Sequence, residues 1–235
     1  CRLRKMAKHH LFGYVPLSKD YSVYSFRKQA LKTLKKIVLN NKIPIFVGGT
    51  GLYMHILKEG IFDSPRINKS IRKDLYGLAA EKGNRFLYEM LLRIDPEAAK
   101  KIHQNDLKRI IRALEVFRAT GRKISVLQKE RRGLKDDYDI KIFCFDMDRE
   151  SLYSRIDKRV DSMFRKGLLK EVKKLSNKNL SKTCRYGIGI SETFRFLKGD
   201  INLKEAKAQI KMNTRHYAKR QLTWFRKDPD INWVK

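Results

Sequence analysis

Between Ile43 and Tyr53 the chain reads Ile-Pro-Ile-Phe-Val-Gly-Gly-Thr-Gly-Leu-Tyr, which sets one hydroxyl, that of Thr50, among three glycines. A hydroxyl held at such a turn can donate a hydrogen bond to an oxygen that gains negative charge as a bond breaks. Gly48, Gly49 and Gly51 let the backbone pass close beside a ligand, and a helix starting near Leu52 would aim its unpaired N–H groups at the same point. Gly48, Gly49 and Thr50 therefore mark a candidate phosphate or diphosphate corner. A strand-to-helix turn whose glycines serve packing explains this segment equally well.

Two further groups of side chains carry charge at a usable spacing. Arg155 and Arg159 stand four residues apart, hence on one helix face, and two guanidiniums side by side can grip a diphosphate. Pairing of the same arginines with Asp157 or Asp161 on a solvated face is the competing reading. Later, Lys204, Lys207, Lys211, Arg215 and Lys219 recur at three- and four-residue steps, a basic stripe about 22 Å long at ~1.5 Å per residue. Leu203, Ala206, Ile210 and Tyr217 form the expected core-facing stripe of that helix, closed by Trp224 and Phe225.

Stepping from side chains to the whole chain, 55 Lys and Arg against 25 Asp and Glu give a formal charge of +30 over 235 residues, while 42% of residues are hydrophobic. That combination suits a globular protein made for nucleic acid, although lysine-rich coding bias would also produce it. Cys1, Cys144 and Cys184 are too few and too scattered for a zinc site or a disulfide framework. No apolar run approaches the roughly 20 residues that span a bilayer. A cytoplasmic protein without a membrane partner is the expectation.

The elements that must position these residues fall into three parts. Residues 1–62 read as α/β, with a helix from Ser25 to Asn40 and a strand from Ile43 to Val47, covered on both faces as in a parallel sheet. Residues 63–137 read as helical, over Ser70 to Lys82, Arg85 to Ile94, Glu97 to Ile102 and Asp106 to Ala119, punctuated by Pro65, Gly83, Pro96 and Gly121. In 138–235 the run Ile140 to Phe145 returns to the sheet. Helices follow at Glu150 to Lys166, on to about Leu175, and from Leu203 to Phe225. Asp95-Pro96-Glu97 reads as a helix start, and Asn105 or Asp106 as a cap. His9 and His10, pointing to opposite faces of an extended segment, read as packing residues; His55, His103 and His216 lack ligand spacing.

The motifs recur in one fixed order. His9-His10-Leu11, Tyr21-Ser22-Val23 with Phe26-Arg27, and the glycine turn precede Asp95-Pro96-Glu97-Ala98-Ala99 and Ile102-His103. Asn105-Asp106, Arg109 to Val116 and Thr120-Gly121-Arg122 follow, then Asn213-Thr214-Arg215 and Tyr217-Ala218-Lys219-Arg220-Gln221-Leu222-Thr223-Trp224-Phe225. Over nearly its whole length this chain resembles the tRNA dimethylallyltransferases. The resemblance implies a P-loop-kinase-like α/β core, a parallel sheet flanked by helices, with a helical insertion domain that binds tRNA. It also implies transfer of a dimethylallyl group from dimethylallyl diphosphate to N6 of the adenosine 3′ to the anticodon, with Mg²⁺, by a monomer.

By the same resemblance Thr50 is catalytic and Arg155, with Arg159, faces the diphosphate. The tRNA anticodon stem-loop is contacted by Arg72, by Lys108, Arg109 and Arg112, by Arg185 in the segment Arg185 to Ile190, and by Lys211, Asn213, Thr214, Arg215, Lys219 and Arg220. After Gly187 and Gly189 this chain has Ile190-Ser191 where the family pattern ends in tyrosine and a basic residue. Family members open with a Gly-x-x-x-x-Gly-Lys-Ser/Thr loop and an aspartate general base; neither occurs here, so an N-terminally truncated chain without the metal ligands, able to bind the stem-loop but inactive in transfer on its own, is expected. A non-catalytic RNA-binding module and a small-molecule kinase are the alternatives.

Overall fold

The computed structural model describes residues 6–62 and 69–235. Cys1, the basic positions 2–5, the expected boundary at 63 and Pro65 lie outside them. The chain divides into two compact units, Cys1–His55 with Asp139–Lys235, and Ile56–Tyr138.

In the first unit, helix α1 (Val23–Leu39) starts where the Ser22 hydroxyl accepts from the Ser25 backbone N–H, and it buries Ala30 and Leu34. Helix α2 (Gly51–Glu59) follows the glycine turn and runs on into the second unit. The expected strand at Ile43 to Val47 is not formed. The sheet among the described residues has two strands, β1 (Ile142–Phe145) and β2 (Ile231–Val234), paired in parallel with Cys144 opposite Trp233. Ile43, Ile45 and Val47 stand 88%, 80% and 90% exposed. β-branched residues favour extended backbone, but a strand is stabilised by its cross-strand neighbours, and this run has none among the described residues.

Helix α7 (Arg149–Arg165), capped by Asp148, buries Ile156 and Val160. Together with Leu168 and Val172 of α8 (Leu168–Leu175) and Ile210 of α11 (Leu203–Phe225), these form one apolar core. Helices α9 (Lys182–Arg185) and α10 (Ile190–Leu197) complete this unit. An Asn202–Glu205 capping box starts α11, each side chain accepting from the other's backbone N–H. Only Ala206 and Ile210 of the expected apolar stripe are buried; Leu203 and Tyr217 are exposed, because α7 and α10 cover one side of the helix. His9 and His10 are exposed as well, which removes their expected packing role.

Every regular element of the second unit among its described residues is a helix. Helix α3 (Lys69–Ile94) breaks at Gly83, whose φ of 82° and ψ of 163° no helix contains, so the two helices expected on either side of Gly83 are joined by a kink. Helix α4 (Pro96–Lys101) starts at buried Asp95, which accepts from the N–H of Ala98 and also from that of Ser125, at the start of α6 (Ile124–Lys129). Helix α5 (Leu107–Thr120) is capped by Asp106 and ends at left-handed Gly121. Its Ile110, Ile111 and Leu114 pack against Leu75, Leu87 and Leu91 of α3, every one of them at or below 1% exposure.

Candidate active site and nucleic-acid interface

Thr50 opens α2 through its backbone, its carbonyl accepting from the N–H groups of Tyr53 and Met54. Its hydroxyl is exposed and lies 3.5 Å from the Tyr217 hydroxyl. Tyr217, Gln221 and Trp224 occupy positions i, i+4 and i+7 of α11, one face of that helix, and all three meet the glycine turn. The Gln221 amide donates to the Gly49 carbonyl at 2.7 Å. A Cβ on Gly49 would fall against that amide nitrogen, and one on Gly51 would fall against the Trp224 ring. None of Gly48, Gly49 and Gly51 has a positive φ. At Gly51 the close approach of the Trp224 ring, rather than backbone conformation, is what demands glycine, so the turn motif and the Tyr217-to-Phe225 motif are two halves of one contact.

Aromatic rings line the same turn. Phe26 stacks on Tyr53 at 4.3 Å between ring centres, His55 meets Trp224 edge to face, and the hydroxyls of Tyr14 and Tyr21 hydrogen-bond to each other. Burial, then the Tyr14 hydroxyl, pushes the Tyr21 phenol up from its ordinary value; burial does the same to Tyr53. Both phenols are therefore neutral donors at physiological pH.

An open pocket lies at the carboxyl ends of β1 and β2 and the N-terminus of α7. Arg149, Arg155, Lys158 and Arg226 line it together with Asp146, Asp148 and Glu150. The carboxyl ends of parallel strands and a helix N-terminus both favour an anion. Arg155 is exposed and donates to the Met147 sulfur at 3.9 Å. Arg155 lines this pocket and Arg159, one helical turn further on, does not. Asp157 and Asp161, the competing partners, are taken by α11. Among the described residues no group of three or more His, Cys, Asp or Glu side chains is placed to hold a metal ion, so Mg²⁺ is assigned no ligands here.

The basic stripe of α11 does not face open solvent along its middle. Lys211 pairs with Asp161 at 2.8 Å and Arg215 with Asp157 at 2.5 Å, while Lys207 and Arg215 lie over the rings of Phe164 and Tyr153, all on α7. Asn213 donates to Glu192 at 2.6 Å and Thr214 donates to the Ile210 carbonyl of its own helix. Burial raises the Glu192 carboxyl, but hydrogen bonds from Asn213, the Gly189 N–H and Ser191 outweigh it and hold the carboxyl below the usual range. Lys204, Lys219, Arg220 and Arg185 are exposed.

The second unit holds a different arrangement. Arg72 of α3 and Arg112 of α5 each donate to the same oxygen, Oε2 of Glu115, at 2.9 Å. Lys108 and Arg109 are exposed on the first turn of α5, Arg109 pairing with Asp106 at 3.2 Å. The sequence pattern gives Glu115, Gln221 and Arg226 no role in a site, and it places Tyr217 on the core-facing stripe of the last helix. The three-residue step from Arg112 to Glu115 was readable on α5, but Arg72, 43 positions upstream of Glu115, carries no local signal of the shared oxygen.

The IPP transferase family model matches residues 2–228. The chain is 44% identical over 235 residues to the tRNA dimethylallyltransferase of Halothermothrix orenii, covering 98% of this chain and 71% of that protein. It is 44% identical over 232 residues to that of Carboxydothermus hydrogenoformans, covering 98% and 75%. Among solved structures it is similar to a tRNA isopentenylpyrophosphate transferase from Bacillus halodurans, with a TM-score of 0.65, 34% identity and coverage of 96% and 71%. A eukaryotic dimethylallyltransferase acting on tRNA superposes with a TM-score of 0.82 at 29% identity, over 99% of this chain and 61% of that one. The α/β, P-loop-kinase-like class expected from the sequence agrees with these matches.

Proposed function

This chain belongs to the IPP transferase family, and from that premise we propose that it transfers a dimethylallyl group from dimethylallyl diphosphate to N6 of the adenosine 3′ to the anticodon in tRNA. The observation that best supports the reading is the Thr50 turn, an exposed hydroxyl at a helix start clamped by three side chains of α11. In the reaction the allylic carbon–oxygen bond breaks, the diphosphate leaves with the electron pair, N6 forms the new carbon–nitrogen bond, and the N6 proton passes to a base that these residues do not supply, the aspartate implied by the family resemblance. Thr50, beside Gly48 and Gly49, donates to the leaving oxygen as its charge grows. Arg155, in the basic pocket with Arg149, Lys158 and Arg226, attracts the diphosphate. The Mg²⁺ expected with a diphosphate finds no ligand cluster among the described residues, and no step here depends on it.

The RNA is held by phosphate contacts, which supply most of the affinity for such partners. Arg72, Lys108, Arg109 and Arg112 of the second unit, with Arg185, Lys219 and Arg220 of the first, present the charge for this. Lys211 and Arg215 contribute less, since each is already matched by an aspartate. Among the described residues no helix is long and apolar enough to cross a membrane.

The test supplies radiolabelled dimethylallyl diphosphate and Mg²⁺ with an anticodon stem-loop, bearing adenosine or guanosine next to the anticodon. In a chain extended with the phosphate-binding loop and aspartate that the family resemblance implies, label recovered as N6-dimethylallyladenosine from the adenosine substrate alone is the expected result. Stem-loop binding that inorganic diphosphate and dimethylallyl diphosphate leave unaltered, with no label in either RNA, would refute the reading.

A further inference from the structure

Three side chains of α11 meet the glycine turn, and they hold it to different degrees. Trp224 packs on Gly51 without a hydrogen bond to it. The Tyr217 hydroxyl stands 3.5 Å from that of Thr50, at the outer limit of a hydrogen bond, so it does not fix the Thr50 proton. Gln221 grips the backbone itself. Its amide donates at 2.7 Å to the carbonyl of Gly49, the peptide group immediately before Thr50. The helix that carries Gln221 is a fixed frame, started by its capping box and anchored by buried Ala206 and Ile210. The turn is not a fixed frame by itself: Gly48 and Gly49 lead into an exposed Thr50 with no Cβ to limit their backbone. A hydroxyl that swings with two glycines is a poor donor, since a misplacement of about 1 Å can cost about 100-fold in rate.

Resting on the reading that Thr50 donates to the leaving oxygen, we infer that Gln221 is a positioning residue for transfer: it ties the Gly49–Thr50 peptide to α11 and so holds the Thr50 hydroxyl where the diphosphate charge develops. Gln221 acts through the turn and not on the substrate. Its place on the helix fits that role, because Lys219 and Arg220 just before it are exposed while Gln221 is half-buried, so charge is turned outward and an uncharged donor inward. The residue type fits as well. An amide N–H can donate to a carbonyl, whereas a carboxylate of the same shape can only repel it.

The experiment measures dimethylallyl transfer by the extended chain described above, with kcat and KM taken separately. Gln221→Met should lower kcat about 5- to 30-fold, less than the roughly 100-fold expected for Thr50→Ala, with KM for dimethylallyl diphosphate and for the stem-loop within about twofold of the parent. In a chain already carrying Thr50→Ala, Gln221→Met should cost less than about twofold more, because residues acting through one another do not add. Gln221→Glu supplies a readout that a merely structural role would not move. Its ionised carboxylate repels the Gly49 carbonyl, but the protonated acid can donate to it, so the kcat of this variant relative to the parent should rise several-fold as the pH falls from 8 towards 5. A ratio that stays flat with pH overturns the inference. So does an equal loss from Gln221→Met in the Thr50→Ala background, which would mark general damage, or a raised stem-loop KM at unchanged kcat, which would make Gln221 an RNA contact. If Thr50→Ala transfers as fast as the parent, the reading of Thr50 falls and takes the inference with it. If Thr50→Ala is slow but Gln221→Met keeps the parent kcat, the inference alone is removed.

Discussion

Two regions of this molecule bury arginine against carboxylate, and they do so with opposite consequences. Between α7 and α11 each cation has its own acid, Asp161 for Lys211 and Asp157 for Arg215, so the charge is cancelled locally. In the second unit two arginines converge on one oxygen of a single glutamate, and both reach the surface. Counting Lys and Arg along a helix therefore misjudges where RNA can be held. The ratio of acids to bases across the packed face decides it, and that ratio is a tertiary quantity. A stripe that reads in sequence as a phosphate track becomes, once α7 is beside it, largely an interhelical brace.

The largest expected effect breaks the second unit's half of this contrast. Arg72→Ala with Arg112→Ala should weaken anticodon stem-loop binding by roughly 10- to 100-fold, the range for losing one or two hydrogen bonds to a charged group. Fluorescence anisotropy against a labelled stem-loop measures it, and a loss below about twofold would return these arginines to a purely internal network. Next in size is the converse experiment in the brace. Asp157→Asn with Asp161→Asn unmasks Arg215 and Lys211, so stem-loop affinity should rise by about 3- to 10-fold at low salt as up to two phosphate contacts become available. Affinity unchanged by unmasking would mean that these cations point away from any bound RNA.

A smaller effect is expected when the brace loses a cation. Lys211→Met should change stem-loop affinity by less than about threefold while lowering the melting temperature slightly, since it leaves Asp161 without its nearest cation. A large binding loss with an unchanged melting temperature would reverse the assignment. The smallest effect is in pH. The hydrogen bond from Lys211, then its charge and those of Lys207 and Arg165, hold the Asp161 carboxyl below the usual range against a smaller opposing effect of desolvation. A carboxyl so depressed contributes stability that is present above its unfolded value near ~3.9 and is lost as pH falls through its folded value. The difference in melting temperature between the parent and Lys211→Met should thus persist from pH 7 to about 5 and close as the pH drops below about 4. A difference that already closes near pH 6 would point to a histidine instead.

The helical skeleton was legible because its signals are local. The span Leu203–Phe225 and the caps at Asp95, Asp106 and Asp148 are short-range chemistry that one sequence displays. Gly83 was readable as a break for the same reason, since glycine alone enters its backbone conformation without strain. Strands are not local. Ile43 to Val47 has the composition of a buried strand and stays exposed, while Ile231–Val234, short and interrupted by Asn232, forms β2 because β1 lies alongside it. In the candidate site, Thr50 and Arg155 were readable from the turn and from helical spacing. Their surroundings were not. Gly49 meets Gln221 across 172 positions and Arg72 meets Glu115 across 43, and nothing in either local pattern announces the partner.

The contrast between the two regions is tested most directly by the salt dependence of stem-loop binding in two matched variants, Arg72→Ala with Arg112→Ala and Lys211→Ala with Arg215→Ala. Both remove two positive charges, so a model in which charge alone matters gives them the same slope. Each cation that neutralises a phosphate adds roughly 0.7 to 0.9 to the slope of log affinity against log salt concentration. The structure leads to a slope flattened by about one to two units for the first variant and by less than about half a unit for the second. Equal flattening in both, or flattening confined to the second, would contradict it.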